Sequence, residues 1–215
     1  MRYTLLKQVI DLLEEYENEE GNANTLTDFK RWIAFNYQSE NEEMEPYWEG
    51  KEKGRSAESV INTLIVHMNR YARSYSKSAI FGSDFSTQED FIYLINLKAF
   101  GEMTKMELIK KNVQEKPVGM QIINRLLAKG WVNQFDSKVD KRSKVLKITD
   151  KGLEVLETQM DKIRAATTIV TGNLTTNEKM ELIRLLNKLN DFHKPIYDKN
   201  IEPENLLDEV FKNQD

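Results

Sequence analysis

The side chains able to do specific chemistry crowd one stretch of this chain, 116–141. It opens with Lys116-Pro117-Val118-Gly119-Met120-Gln121-Ile122-Ile123-Asn124-Arg125-Leu126-Leu127-Ala128-Lys129, stops at Gly130, and runs through Trp131-Val132-Asn133-Gln134-Phe135 into a basic tip. On a helical wheel Val118, Ile122, Ile123, Leu126 and Leu127 share one half, while Pro117, Met120, Gln121, Asn124, Arg125 and Ala128 share the other. One half packs and the other reaches outward. The outer half is short and polar, without the Lys and Glu rows of an ordinary solvated face, and side chains of that size can approach base edges from a helix in a DNA major groove. Gln121 and Asn124 carry the paired donor and acceptor that match adenine, and Pro117, Val118 and Met120 are candidates for contact with thymine methyl groups. Arg125 would hold a phosphate or a neighbouring helix. An ordinary amphipathic surface helix competes with this reading, and the residues that follow tilt the balance.

Those residues form two β-rich runs, Trp131 to Phe135 and Lys144 to Ile148, joined by Asp136-Ser137-Lys138-Val139-Asp140-Lys141-Arg142-Ser143. The pattern is a hairpin with a long basic tip. Arg142 is the candidate for a narrow minor groove, whose negative potential favours a guanidinium. Asp140 would orient it through a charge-assisted pair. Lys138, Lys141 and Lys144, with Lys116 and with Thr104 and Lys105 at an upstream helix start, are candidates for phosphate contacts.

Charge distribution supports the same chemistry more than the total does. The 215 residues sum to −4, yet 100–150 holds eleven Lys and Arg against six Asp and Glu, a local +5 that leaves −9 elsewhere. A basic module sits in an acidic frame. Other chemistries have little to stand on. With no cysteine there is no disulfide framework, zinc-thiolate site or thiol sensor, and His67 and His193 are the only histidines. The sequence has no Ser-His-Asp grouping, carboxylate-His cluster, Gly-rich phosphate loop or dinucleotide fingerprint, so neither an enzyme nor a cofactor is expected. No run approaches the roughly 20 apolar residues of a membrane span, and a cytoplasmic location is expected.

The elements that position these residues are mostly helical, since charge is abundant and Gly and Pro are scarce. Apolar spacing predicts helices over 3–16, 26–37 (burying Leu26, Phe29 and Ile33, with Trp32 a further candidate) and 55–80; 38–54 reads as an acidic linker whose Tyr47-Trp48 pair could dock on the body. Three Ser/Thr-x-x-Glu capping boxes mark later helix starts: Ser86 with Glu89, Thr104 with Glu107, and Thr175 with Glu178. Between them lie a helix through Phe100, a short helix 104–112, the helix at Lys116, and a helix from Thr149 or Asp150. Two short helices in succession, the second with a polar outer half, make a helix-turn-helix. The seams Leu153, Leu156, Met160, Ile163, Val170 and Met180, Ile183, Leu186, Leu189, Phe192 point to a dimer interface. Pro195 is expected to stop the second seam's helix, leaving an acidic tail with at most one short helix around Leu206, Val210 and Phe211.

Four motifs in this order, Met103-Thr104-x-x-Glu107-Leu108, Arg125-Leu126-Leu127-Ala128-Lys129-Gly130-Trp131-Val132, Asp140-Lys141-Arg142-Ser143-Lys144 and Ile148-Thr149-Asp150-Lys151-Gly152, resemble the MarR family of bacterial winged-helix regulators. The resemblance covers roughly 56–195. It implies a mainly α fold with a small β-hairpin wing: a winged helix-turn-helix at 86–150, dimerisation helices at 55–80 and 150–195, a helical extension and linker at 1–54, and an acidic tail at 196–215. It further implies a homodimer on a pseudo-palindromic operator in double-stranded DNA, with relief by a small-molecule effector. An effector pocket would lie between the Ser56 to Tyr75 helix, the helix after Ser86 and the dimer seam, with His67, Tyr71, Arg73 and Tyr75 as candidates, although core packing is the more ordinary use for the tyrosines. The alternative is a winged-helix module that binds another protein through its acidic ends. The Met1 to Gly54 extension is longer than the family's usual lead-in. Pro117 to Gln121 also stand where small hydroxylated and basic residues are common, so no operator sequence carries over.

Overall fold

The computed structural model describes residues 3–20, 25–36, 46–137 and 144–212. The chain divides into two compact units, 1–61 and 62–215.

In the first unit, α1 (Thr4–Glu20) and α2 (Leu26–Asn36) meet through an aromatic cluster. The Tyr16 ring lies 5.3 Å from Phe29 and 5.5 Å from Trp32, and Phe29 stacks on Trp32 at 6.2 Å. Trp32 is buried, but Leu26, expected inside, is largely exposed, as are Leu5, Leu6 and Ile10 of α1. Two short helices enclose only one side of each other, and the aromatics fill it. In the expected linker, residues 46–54 form a turn around Trp48, whose indole N–H donates to the Arg55 carbonyl at 2.8 Å; Tyr47 stays exposed. The rest of that stretch, 38–45, lies outside the described residues.

The helix α3 (Ala57–Ala79) leads to the second unit. There α4 (Gln88–Phe100), β1 (Met103–Thr104), α5 (Lys105–Lys111), α6 (Lys116–Ala128), β2 (Val132–Asp136), β3 (Lys144–Ile148), α7 (Asp150–Thr171), α8 (Thr176–Asp198) and α9 (Pro203–Lys212) follow in order. The sheet is antiparallel with order β1-β3-β2, Val132 opposite Ile148 and Asp136 opposite Lys144. The hairpin is as expected, but β1 is an additional strand: Met103 pairs with Leu146 and Thr104 with Val145. Two residues are too short for a periodicity signal, and only the pairing with β3 makes them a strand.

The core draws on every element around the sheet. Tyr93, Leu94 and Leu97 of α4, Leu108 and Ile109 of α5, Ile122, Ile123 and Leu126 of α6, and Trp131, Val132, Leu146 and Leu156 pack into one cluster. Each fully buried aliphatic among them is worth about 1.5–3 kcal/mol over exposure. The Leu153–Val170 seam is largely consumed here, because Leu156 and Ile163 are buried in this core and Met160 packs against it. These three residues, expected at an interface with a second chain, pack within their own lobe. The α8 seam has no such use: none of its residues is buried.

Two boundaries differ from expectation. Thr87, not Ser86, is the N-cap of α4. The backbone N–H groups of Ser86 and Thr87 donate to Asp90 Oδ2 at 2.7 and 3.3 Å, so Asp90 takes the place assigned to Glu89. A box shifted by one residue serves the donors one position on and turns its carboxylate inward. Pro195 lies inside α8 rather than ending it. An internal proline removes a backbone bond and costs about 3 kcal/mol, but contacts beyond it hold the last turn. Tyr197 Oη donates to the Gln114 carbonyl at 2.7 Å, and Asp198 pairs with Lys194 and Lys110.

Candidate nucleic-acid interface

The geometry of α6 follows from its approach to α5. Gly119 is buried, and a Cβ built on it would lie 2.5 Å from Ile109 Cγ1, 3.0 Å from Cδ1 and 3.1 Å from Cγ2. Only a residue without a side chain lets the two helices come this close. The turn between them is over-determined. Val113 has φ 50, the left-handed region that a β-branched residue rarely adopts. Around it, Asn112 Nδ2 donates to Leu108 O at 2.7 Å and Asn96 Nδ2 donates to Asn112 Oδ1 at 2.8 Å. Gln114 Nε2 reaches Glu89 Oε2 at 3.2 Å. Thr104 caps α5 as expected: its N–H donates to Glu107 Oε2 at 2.7 Å and its hydroxyl accepts from the Glu107 N–H at 3.2 Å. The bond from the Thr104 backbone N–H, with a lesser one from the Thr104 hydroxyl, holds the Glu107 carboxyl below the usual carboxylate range.

With Gly119, Ile122, Ile123 and Leu126 turned inward, Lys116, Pro117, Val118, Gln121 and Asn124 form the exposed row of α6. Gln121 and Asn124 thus stand where the wheel put them. Val118 sits outside, although the wheel grouped it with the packing half. Met120 is half-buried against the core, so its expected contact with a thymine methyl would need it to leave that packing. Lys116 and Lys105 have no ion-pair partner shown among the described residues. Pro117 stands in the first turn, where a missing N–H removes no helical bond.

Of the two roles open to Arg125, the structure shows the bond to a neighbouring helix. Its Nε and Nη2 donate to Asp90 Oδ1 at 2.8 and 2.5 Å, and Nη2 also reaches Thr87 Oγ1 at 3.2 Å. Asp90 is 0% exposed, and its other oxygen takes the two backbone N–H groups at the start of α4. Both carboxylate oxygens are therefore satisfied. The pair fixes the C-terminal half of α6 to the first turn of α4 and so sets the angle at which the exposed row is presented. Asp90 was missed in the sequence, although the offset of its carboxylate from Thr87 fits a capping box as well as that of Glu89 from Ser86.

At the wing, Lys144 lies opposite Asp136 and pairs with it at the surface, both side chains well exposed. The candidates Lys138, Asp140, Lys141 and Arg142 lie outside the described residues. Other cations of the basic module are engaged within the lobe: Lys147 pairs with Glu102 at 3.2 Å, Lys111 lies 3.5 Å over the Phe100 ring and Lys129 lies 4.5 Å over Trp131.

A cleft of about 660 Å³ opens between α3, α4 and α6, and Arg73 lines it, but His67, Tyr71 and Tyr75 do not. The His67 and Tyr71 rings lie 6.5 Å apart, and Tyr71 is exposed. Among the described residues, no three His, Asp or Glu side chains are grouped to hold a metal, and no helix is long and apolar enough to cross a membrane.

A helix-turn-helix followed by a hairpin that pairs back onto β1, with α7 closing the lobe, defines a winged-helix fold. The family model described as the ArnR1-like winged-helix domain matches residues 90–167. The HTH-type transcriptional repressor NicR of Pseudomonas putida is 26% identical over 105 residues, which are 49% of this chain and 66% of the repressor's length. A MarR mutant from E. coli complexed with operator DNA superposes with TM-score 0.55 at 25% identity, covering 60% of this chain and 92% of that one. BpsR of Bordetella bronchiseptica, solved in a study of regulation of its DNA binding by 6-hydroxynicotinic acid, gives TM-score 0.58 at 19% identity, covering 68% and 98%, and shares the fold. Residues 90–167 thus form a winged-helix domain, and the chain is similar to MarR-type transcriptional regulators.

Proposed function

We propose that this chain acts as a homodimer on a pseudo-palindromic operator, laying α6 of each copy in successive major grooves and regulating transcription there, in the cytoplasm. The observation that carries the reading is the exposed row Lys116, Pro117, Val118, Gln121 and Asn124, presented by a helix whose other face is locked into the core. Gln121 and Asn124 read adenine edges, Val118 and Pro117 meet thymine methyls, and Lys116, Lys105 and Lys144 hold phosphates. The wing residues Lys138, Lys141 and Arg142 add positive charge, with Arg142 in the minor groove. The MarR relative complexed with operator DNA supports the same reading.

The second copy is supported by α8. Met180, Ile183, Leu186, Leu189 and Phe192 recur every third residue and are all exposed in the single chain. Such a row is costly to leave in water and suits an isologous contact with its own copy. A dimer of this kind sets the two α6 helices about 34 to 36 Å apart, one turn of DNA. Release by a small aromatic effector completes the proposal, after relatives described with 6-hydroxynicotinic acid and 2,4-dichlorophenol.

Genomic footprinting with the purified protein tests the reading and yields the operator. Retention on the recovered sites falls by about 10³ to 10⁵ between about 50 and 200 mM salt if the dimer neutralises about 6 to 10 phosphates. A flat salt profile rejects DNA binding, and a monomer's elution volume at micromolar protein rejects the dimer.

A further inference from the structure

The last half of α3 carries a charge pattern that neither folding nor the α6 row accounts for. From Val66 to Ala79 it holds Arg70, Arg73 and Lys77 and no acid. Their spacing of three and four residues puts them on one helix face, all three are exposed, and all three line the cleft between α3, α4 and α6. No ion pair is shown for any of them among the described residues. Compensation of the helix dipole accounts for Lys77 at most, because that effect fades beyond the last turn and Arg70 and Arg73 lie further back.

The opposite wall identifies what the cations face. It is made by Val118 and Gln121 of the exposed α6 row and by the first turn of α4. The one acid in the lining, Glu89, accepts from Gln88 Nε2 at 3.3 Å and Gln114 Nε2 at 3.2 Å. The fourth cation, Arg125, is already paired with Asp90. Ten of the thirteen lining residues are polar or charged, and four of those are the cations Arg70, Arg73, Lys77 and Arg125. The cleft is a cationic trench running beside the helix that meets the bases.

We infer that Arg70, Arg73 and Lys77 form a second phosphate-binding strip, so that the DNA backbone flanking the groove occupied by α6 lies along α3. This rests on the DNA-binding reading above and extends the contact surface beyond the helix-turn-helix and wing to a helix outside them. The strip carries no base contacts, so its effect is on affinity and salt dependence and not on sequence preference.

The test is fluorescence anisotropy of the full chain with a labelled mixed-sequence duplex of about 30 base pairs over a series of salt concentrations. It compares the wild type, the triple variant Arg70→Gln, Arg73→Gln, Lys77→Gln, and a control of equal charge change, Lys53→Gln, Lys162→Gln, Lys188→Gln. All six positions are exposed, and circular dichroism checks that each variant melts like the wild type. Each lost phosphate contact lowers the slope of log K against log salt by about 0.9. The triple variant is expected to lose about 2 to 3 from the slope per chain, with the control unchanged. A steep wild-type slope shared by the triple variant, or an equal loss in the control, overturns this inference and leaves the regulator reading standing. A flat wild-type slope overturns both. If inorganic phosphate raises the melting temperature of the wild type but not of the triple variant while their DNA slopes agree, the trench is a small-anion site and the strip is rejected.

Discussion

Replacing Gly119 by Ala tests the claim that the α5 to α6 approach sets the presentation of the exposed row. In an unconstrained helix the change stabilises by about 1 kcal/mol, because glycine is the poorer helix former. Here the new methyl would stand 2.5 Å from Ile109 Cγ1, against the 3.4–4 Å of ordinary contact. The helices must therefore separate by about 1 Å, or Ile109 must leave its rotamer. Ile109 is 1% exposed and branched at Cβ, so it has little room to turn. Overpacking of this kind costs about 1–3 kcal/mol, and so severe an overlap belongs at the upper end. After the gain in propensity the net loss is about 2 kcal/mol. Urea unfolding should show a lower midpoint with the slope unchanged. The double variant Gly119→Ala, Ile109→Ala supplies the second arm, because the added methyl then enters the space vacated by the isoleucine. The pair should be less destabilised than the sum of the single changes, by about 1 kcal/mol or more. Equal or greater stability of Gly119→Ala alone would refute the close approach, since only the propensity gain would then be acting.

Removal of the guanidinium in Arg125→Met strands the buried Asp90 carboxylate and is expected to cost about 3 kcal/mol in urea unfolding, as for other broken buried pairs; a loss under about 0.5 kcal/mol would show that water replaces the arginine. Glu107 titrates below the usual carboxylate range because of its bonds to Thr104, so its folded-state pKa lies under its unfolded one. Its stabilisation is complete above the ordinary pKa of about 4.3 and is lost as pH falls through the lower folded value. The stability gap between wild type and Glu107→Gln should accordingly be widest near neutral pH and shrink at acid pH; a gap independent of pH would mean that the charge contributes nothing. On α8, Leu186→Glu in the exposed seam should halve the mass measured by light scattering while circular dichroism is retained, and an unchanged mass would place the interface elsewhere.

Most of the lobe was legible because its signals are local. The 3.6-residue spacing, the boxes at Thr104 and Thr175, and the turn residues each depend on neighbours within four positions, and the corresponding helices and hairpin stand where those signals put them. Gln121 and Asn124 were found on the outer half of α6 for the same reason. The misplacements arose where a local signal had two solutions. Ser86 with Glu89 and Thr87 with Asp90 are interchangeable as caps, and only Arg125, thirty-five residues away, selects the second. Met120 and Val118 both lie near the boundary of the apolar half, and the packing of α6 against the core turned one inward and left the other out.

The sequence by itself determined the order of elements, the basic module in an acidic frame, and which half of α6 is polar. Periodicity and charge are properties of the chain before it folds. Only the tertiary structure decided that Met103–Thr104 completes the sheet, that the α7 seam closes its own lobe, and that α8 continues through Pro195. It also decided that three cations on α3 line the same cleft as Gln121. Each of these joins residues far apart in sequence, where a strand, a buried face or a charged cleft exists only once its partner has been brought alongside.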